Sequence, residues 1–250
     1  MKTNIANELM RDGSIEAYYT TRGECEQDAP YSGFNICHYT GDSPEHIAKC
    51  RKDLAEGFNI PEENIIVPRQ THSVNVATIT ALPLSEDAVE NVDAIVTNLR
   101  GVIIGVNTAD CVPVIMTDST AGIAAVAHAG WRGAVGGIAE NTLDAMIALG
   151  AEPSRIKVAM GPSICQKCFE VGEEVAEKFS GECVDRSSWD KPHVSLHTHI
   201  KEVLTKRGVP EINIAEFDDN LCTKCHPGML YSARRLGVES GRVYTFAIIR

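Results

Sequence analysis

Residues 102–133 read VIIGVNTADCVPVIMTDSTAGIAAVAHAGWRG. Three apolar runs, VIIGVNT (102–108), CVPVIMTD (111–118) and GIAAVAH (122–128), follow one another with only turn residues between them. Runs without polar alternation belong to strands covered on both faces. Connections this short leave no room for a crossover helix, so the strands pair in antiparallel or mixed fashion. The stretch predicts the strand-rich heart of an α+β fold.

Outward from it the pattern is less dense. Upstream, DAIVT (93–97), VATIT (76–80) and NIIV (64–67) read as further strands, and downstream so do RIKVAM (155–160) and RVYTFAII (242–249). Helices are expected over 44–57, where Ser43-Pro44 is a start signal and Gly57 a stop, and over 134–149 ahead of Gly150. Two more are expected over 171–179 and 198–208. No linker or repeat divides the chain. The expectation is one domain, 1–250, of α+β (mixed α/β) architecture, with central mixed β-sheets covered by outer helices.

The chain has 250 residues and a formal charge of −11. That acidity argues against nucleic acid or an anionic membrane surface as the main partner. No run approaches the roughly 18 apolar residues of a membrane span. The start, MKTNIANELMRDGS, lacks an apolar secretory core. Nine cysteines, an odd number in a chain too long to need disulfide staples, point to a reducing, cytoplasmic setting.

Three segments set a strong ligand where an apolar strand meets a turn: RQTHSVNV with His72, TADCVPV with Cys111 and AVAHAGWRG with His128. They lie too far apart for a zinc finger, but suit a catalytic site with three protein ligands and one open position. The set is soft enough for zinc, and copper also fits. Singly, each has a plain structural reading, the cysteine as a small core residue and the histidines as hydrogen-bonded strand ends.

Arg132, at the start of the 134–149 helix, offers an anion site with Gly130 and Gly133 around it, or else pairs with a carboxylate. In YSARRLG (231–237), one of Arg234 and Arg235 is expected to face an anion while the other pairs at the surface. CQKC (165–168) and CTKC (222–225) repeat a thiol pair, but much farther apart than the roughly 15–20 residues of a zinc ribbon. A four-thiolate metal site on Cys165, Cys168, Cys222 and Cys225, a redox pair and plain buried thiols all remain open. HVSLHTH (193–199) reads as an exposed helix start capped by Ser195.

RQTHSVNV, TADCVPVI, AHAGWRG, GPSICQKCFEVGEE and LCTKCHP occur in the order found in the laccase-domain, or polyphenol oxidase, family of YfiH type. The resemblance runs from about residue 33 to the C-terminus. It implies a mixed α/β fold and a metal triad of His72, Cys111 and His128, holding zinc, with copper also attributed to the family. It implies a purine nucleoside phosphorylase with adenosine deaminase activity, acting on adenosine and inosine, with methylthioadenosine as a further candidate, and taking phosphate as co-substrate. Asn35 and Gln70 are expected as polar substrate contacts beside Arg132, Arg234 and Arg235, and Asp110 as a weak candidate acid. Two departures stand out. Cys165 falls where the family commonly has glycine, and the SYRRD-like ending becomes SARRLG.

Rival readings follow from the same residues. A metal-free cysteine hydrolase would use Cys111 with His128 or His72 as base. A copper phenol oxidase needs more ligands than one Cys/His/His set. A non-enzymatic zinc module would rest on the two CxxC pairs.

Overall fold

The computed structural model describes residues 6–188 and 190–250. The first five residues of the N-terminal stretch, on which the reading of no secretory core partly rests, lie outside them. The chain opens with a hairpin, β1 (Ala6–Asp12) and β2 (Ile15–Thr20), followed by α1 (Pro44–Phe58) and the short β3 (Ile65–Ile66). Then come β4 (Val76–Ile79), β5 (Ala94–Thr97), β6 (Ile103–Thr108), β7 (Val112–Asp118) and β8 (Ile123–Ala129). Next are α2 (Trp131–Gly136), α3 (Ile138–Ala148), β9 (Lys157–Met160) and α4 (Glu173–Ala176). The chain closes with β10 (Val184–Asp185), β11 (His193–Val194), α5 (Leu196–Lys206), α6 (Ala233–Leu236) and β12 (Val243–Ile249).

Two five-stranded mixed sheets form the centre. One has the order β1-β2-β12-β6-β3 and the other β4-β5-β8-β7-β9. Within each, pairing is antiparallel except for one parallel edge, β3 with β6 and β4 with β5. The facing surfaces bury one apolar set: Ile104, Val106 and Ala247 from the first sheet, and Ile95, Ile115 and Val126 from the second. Because successive side chains point to opposite faces, the alternate residues face outward into two further cores. Ile103, Phe246 and Ile248 meet Leu54 and Phe58 of α1, and Ala94, Val114 and Met116 meet Leu143 of α3 and Ile200 of α5. The layers are helix, sheet, sheet, helix. Both faces of each central strand are dry, which is why the runs carry no polar alternation.

Helix boundaries depart from the sequence reading in three places. Ser43 caps α1 by accepting from His46 N, a contact worth about 1 kcal/mol. The helix continues through Gly57, however, and stops at Asn59, whose left-handed backbone returns its N–H to Ala55 and Glu56. The helix expected over 134–149 is two, because Gly137 at φ 94 ends α2 and opens α3. The segment 171–179 makes only the single turn of α4, since Lys178 and Phe179 close back on Val175 and Ala176 in tighter three-residue turns. Ser195 does cap α5, through Thr198 N at 3.1 Å, but the histidine tract around it is not exposed. His193 and His197 are buried, and His197 stacks on Phe217 with centroids 3.7 Å apart.

Candidate metal centre

β7 and β8 run antiparallel with Pro113 opposite His128 and Val112 opposite Ala129. That register sets Cys111, just ahead of β7, across from Gly130, just past β8. Gly130 has an ordinary φ of −70, so conformation does not require glycine there. Space does. A Cβ would lie 2.8 Å from His72 Cδ2 and 2.9 Å from Cys111 Sγ. The glycine keeps room for side chains of the centre, where the sequence suggested room for a ligand.

His72 enters from the loop ahead of β4, with its Nε2 3.7 Å from Cys111 Sγ. The ligand atoms of His72, Cys111 and His128 all lie within 4.8 Å of one another. His72 has φ 61, which is strained for a non-glycine residue by about 1 kcal/mol or more. Asp93 holds it there. Its carboxylate accepts from the N–H groups of Thr71 (3.2 Å), His72 (3.1 Å) and Ser73 (2.8 Å), and lies 2.7 Å from His128 Nδ1. One buried carboxylate thus orders two of the three ligands. With Nδ1 committed to Asp93, His128 is left with Nε2 for the centre, as in carboxylate–histidine–metal arrangements.

The electrostatics agree. Burial pushes the Asp93 carboxyl up, but hydrogen bonds from His128 and Ser73 outweigh it and hold the group at about 2. Burial also opposes charge on Cys111 and His128, yet their mutual attraction, with Asp93 behind the imidazole, lowers the thiol and raises the histidine. The thiolate is the form that a metal takes, and the imidazole proton leaves on binding.

The three residues line a cavity of about 410 Å³, within the range of small-molecule sites. Its other walls include Gln70, Trp131, Arg132, Phe169, Arg234 and Arg242. Arg132 lies over Trp131, 4.3 Å from the ring centroid, and Arg234 lies over Phe169 at 5.2 Å. Among the described residues none of the three arginines has a carboxylate within ion-pair distance. The mouth therefore carries positive charge on a protein of net charge −11. A larger cleft of about 660 Å³, lined by Ile66, Leu82 and Pro83 among others, shares no wall with this cavity.

Several sequence-predicted contacts fall elsewhere. Asn35 is fully buried outside the cavity, because its amide is consumed by Asp42 and by the N–H groups of Cys37 and Arg242. Arg235 turns away and pairs with Asp28 at 3.3 Å, whereas Arg234 faces the cavity. Gln70 is a wall, but its amide is spent on the backbone of Asn107. Asp110 is held at φ 92 by Thr223 Oγ1 and Arg234 N, both at 2.7 Å, so both its oxygens are engaged and it braces the loop. Arg132 opens α2, a six-residue helix, and not the longer α3. His197 and His199 do not reach the cavity, bonding Ser163 Oγ at 2.8 Å and Ala134 O at 3.2 Å.

Sequence pattern alone does not single out every residue of the site. Asp93 reads only as the start of a strand, and Arg242 only as the lead into another. Asn107, inside the VIIGVNT run, lines the cavity and is 3 % exposed, yet among the described residues neither atom of its side-chain amide has a hydrogen-bond partner within 3.5 Å. The nearby Tyr39 hydroxyl donates to Gln70. A buried amide left unpaired costs about 1–3 kcal/mol, which makes Asn107 a candidate contact for a ligand in the cavity.

Fold and centre together define a mixed α+β protein with a His/Cys metal-ligand set on the wall of a ligand-sized cavity. The chain belongs to the family described as multi-copper polyphenol oxidoreductase laccase, whose model matches residues 16–250. It is 46% identical over 244 residues to adenosine deaminase RL5 of an unknown prokaryotic organism, covering 92% of each chain. It is 34% identical to a purine nucleoside phosphorylase of Bacteroides thetaiotaomicron, covering 94% of this chain and 92% of the other. The fold matches YfiH of Bacillus licheniformis at a TM-score of 0.89 and 24% identity, over 99% and 97% of the two chains. It also matches YlmD of Geobacillus stearothermophilus at 0.86 and 26%, over 98% and 100%.

Proposed function

We propose that the protein is a zinc-dependent purine nucleoside enzyme. It cleaves adenosine and inosine with phosphate to the free base and ribose 1-phosphate, accepts methylthioadenosine in the same way, and deaminates adenosine to inosine. The observation that carries this reading is the meeting of three groups in one cavity: the His72–Cys111–His128 set, unpaired arginines, and the partnerless amide of Asn107. The names of the relatives support it. Nine cysteines, none in a disulfide, support a reducing, cytoplasmic setting.

His72, Cys111 and His128 fit zinc by donor type, mutual distance and the Asp93 support of His128. When bound, the ion supplies Lewis acidity, which makes an oxygen nucleophile effective at neutral pH. Arg132 and Arg234 hold phosphate for attack on the ribose C1′, as the C1′–N9 bond breaks and the base leaves with a proton. Asn107 presents one donor and one acceptor to the purine edge, and Trp131 and Phe169 offer apolar surface for the rings. In deamination, water adds at C6 and ammonia departs.

Copper phenol oxidation is less well supported. Among the described residues no second histidine set stands beside the triad; the other ligand cluster is made of cysteines alone. A thiol hydrolase reading has one observation in its favour, the Cys111–His128–Asp93 order. Metal removal separates it from the proposal. Stripped protein loses nucleoside turnover and regains it with zinc; full activity without metal contradicts the zinc reading and favours the thiol.

A further inference from the structure

The two CxxC pairs, far apart in the chain, meet in space. Cys165 and Cys168 flank a single turn after β9, closed by Cys168 N to Cys165 O at 3.0 Å. Cys222 and Cys225 flank another, with His226 N on Cys222 O at 3.2 Å. The two segments are zipped by backbone: Ser163 bridges Cys222 in parallel fashion, with Ser163 N to Leu221 O at 3.2 Å and Thr223 N to Ser163 O at 3.0 Å. All four sulfurs lie within 4.8 Å of one another. We propose that Cys165, Cys168, Cys222 and Cys225 form a closed, structural zinc site, separate from the centre in the cavity.

Distances favour a metal over the alternatives. The Sγ atoms of Cys168 and Cys225 are 3.5 Å apart, well beyond the roughly 2.05 Å of a disulfide. Four sulfurs bound at about 2.3 Å to a tetrahedral zinc stand about 3.8 Å from one another, so the cluster needs only small shifts to close on the ion. Cys165 N lies 3.4 Å from Cys222 Sγ, an amide donor aimed at a sulfur, which favours thiolate. Cys165 and Cys222 are buried, while Cys225 is exposed and leaves an entry path. Each turn carries an exposed lysine, Lys167 or Lys224, against the double negative charge of a zinc tetrathiolate. On binding, four Zn–S bonds form and four thiol protons pass to solvent.

With four protein ligands the site has no position for substrate, so its part is to hold the cavity wall. Thr223, between two of the ligands, donates to Asp110, and Ile164, beside a third, donates its N–H to Asp110 O at 2.9 Å. Asp110 adjoins Cys111. Phe169, directly after Cys168, lines the cavity.

The test is metal analysis of the full chain with the cavity centre disabled, as His72→Ala/His128→Ala, purified under reductant. One zinc per chain is expected, and none overturns the proposal whatever the fate of the nucleoside reading. Cobalt in place of zinc in the same protein should give the intense sulfur-to-cobalt absorption of four thiolates, and adding Cys225→Ser should weaken that band and lower the retained metal. Iron in place of zinc, an unchanged metal count in the Cys225→Ser protein, or a mass showing disulfides among these cysteines would each overturn it. Should Cys225→Ser fail to fold, the metal count and cobalt spectrum of the parent still decide.

Discussion

At the scale of single residues, Asp93 joins fold to chemistry. It bonds three successive backbone N–H groups and the imidazole of His128, so it positions both histidines without facing substrate. Asp93→Asn is expected to lower zinc affinity about 10–100-fold, measured by competition with a chelator of known strength. Unchanged affinity would show that the ligands need no such brace. Asn107 makes an opposite prediction for stability. Asn107→Leu removes a buried amide with no partner, so the thermal midpoint should hold or rise, while KM for nucleoside rises about tenfold. A loss of stability with KM intact would mean the amide serves the fold. The three candidate ligands were legible because a histidine or cysteine set where an apolar run meets a turn stands out. Asp93 and Asn107 were not, because each reads as an ordinary member of its strand and only the packing shows what it faces.

At the scale of elements, the central strands were legible and the ends of helices were not. The runs in 102–133 had one reading because both faces are dry. The helix over 134–149 broke at Gly137 because a left-handed residue satisfied both a stop and a start, which periodicity alone does not register. The hairpin β1–β2 was not placed from sequence, since β1 is half exposed and mixes charge with apolar residues. Gly130 tests the junction of β8 and α2. Gly130→Ala should leave the circular dichroism unchanged, since φ −70 suits alanine, yet abolish metal binding at the cavity centre, read as one zinc fewer per chain than the parent, because the new methyl falls within 3 Å of His72 and Cys111. An unchanged zinc count would mean that the junction yields.

At the scale of the whole molecule, the layer order was within reach of the sequence and the strand order was not. β12, the last strand, lies between β2 and β6, a pairing that no local pattern encodes. The same long-range packing buries His197 between Ser163 and Phe217, and burial lowers its pKa to about 3. The unfolded chain titrates near 6.5, so it binds a proton that the native state refuses between those values. This part of the stability is full above about pH 6.5 and is lost as pH falls toward 3. The thermal midpoint should fall on acidification through that window, and less steeply in His197→Gln; equal slopes would place the acid sensitivity elsewhere.

The central claim is nucleoside chemistry at the His72–Cys111–His128 centre. Its most direct test is zinc-loaded protein incubated with adenosine and with inosine, with and without phosphate, and the products identified. The account predicts inosine from adenosine without phosphate, and free base with ribose 1-phosphate only when phosphate is present, all lost in His72→Ala. Unchanged nucleosides under every condition, or turnover undiminished in His72→Ala, would contradict it.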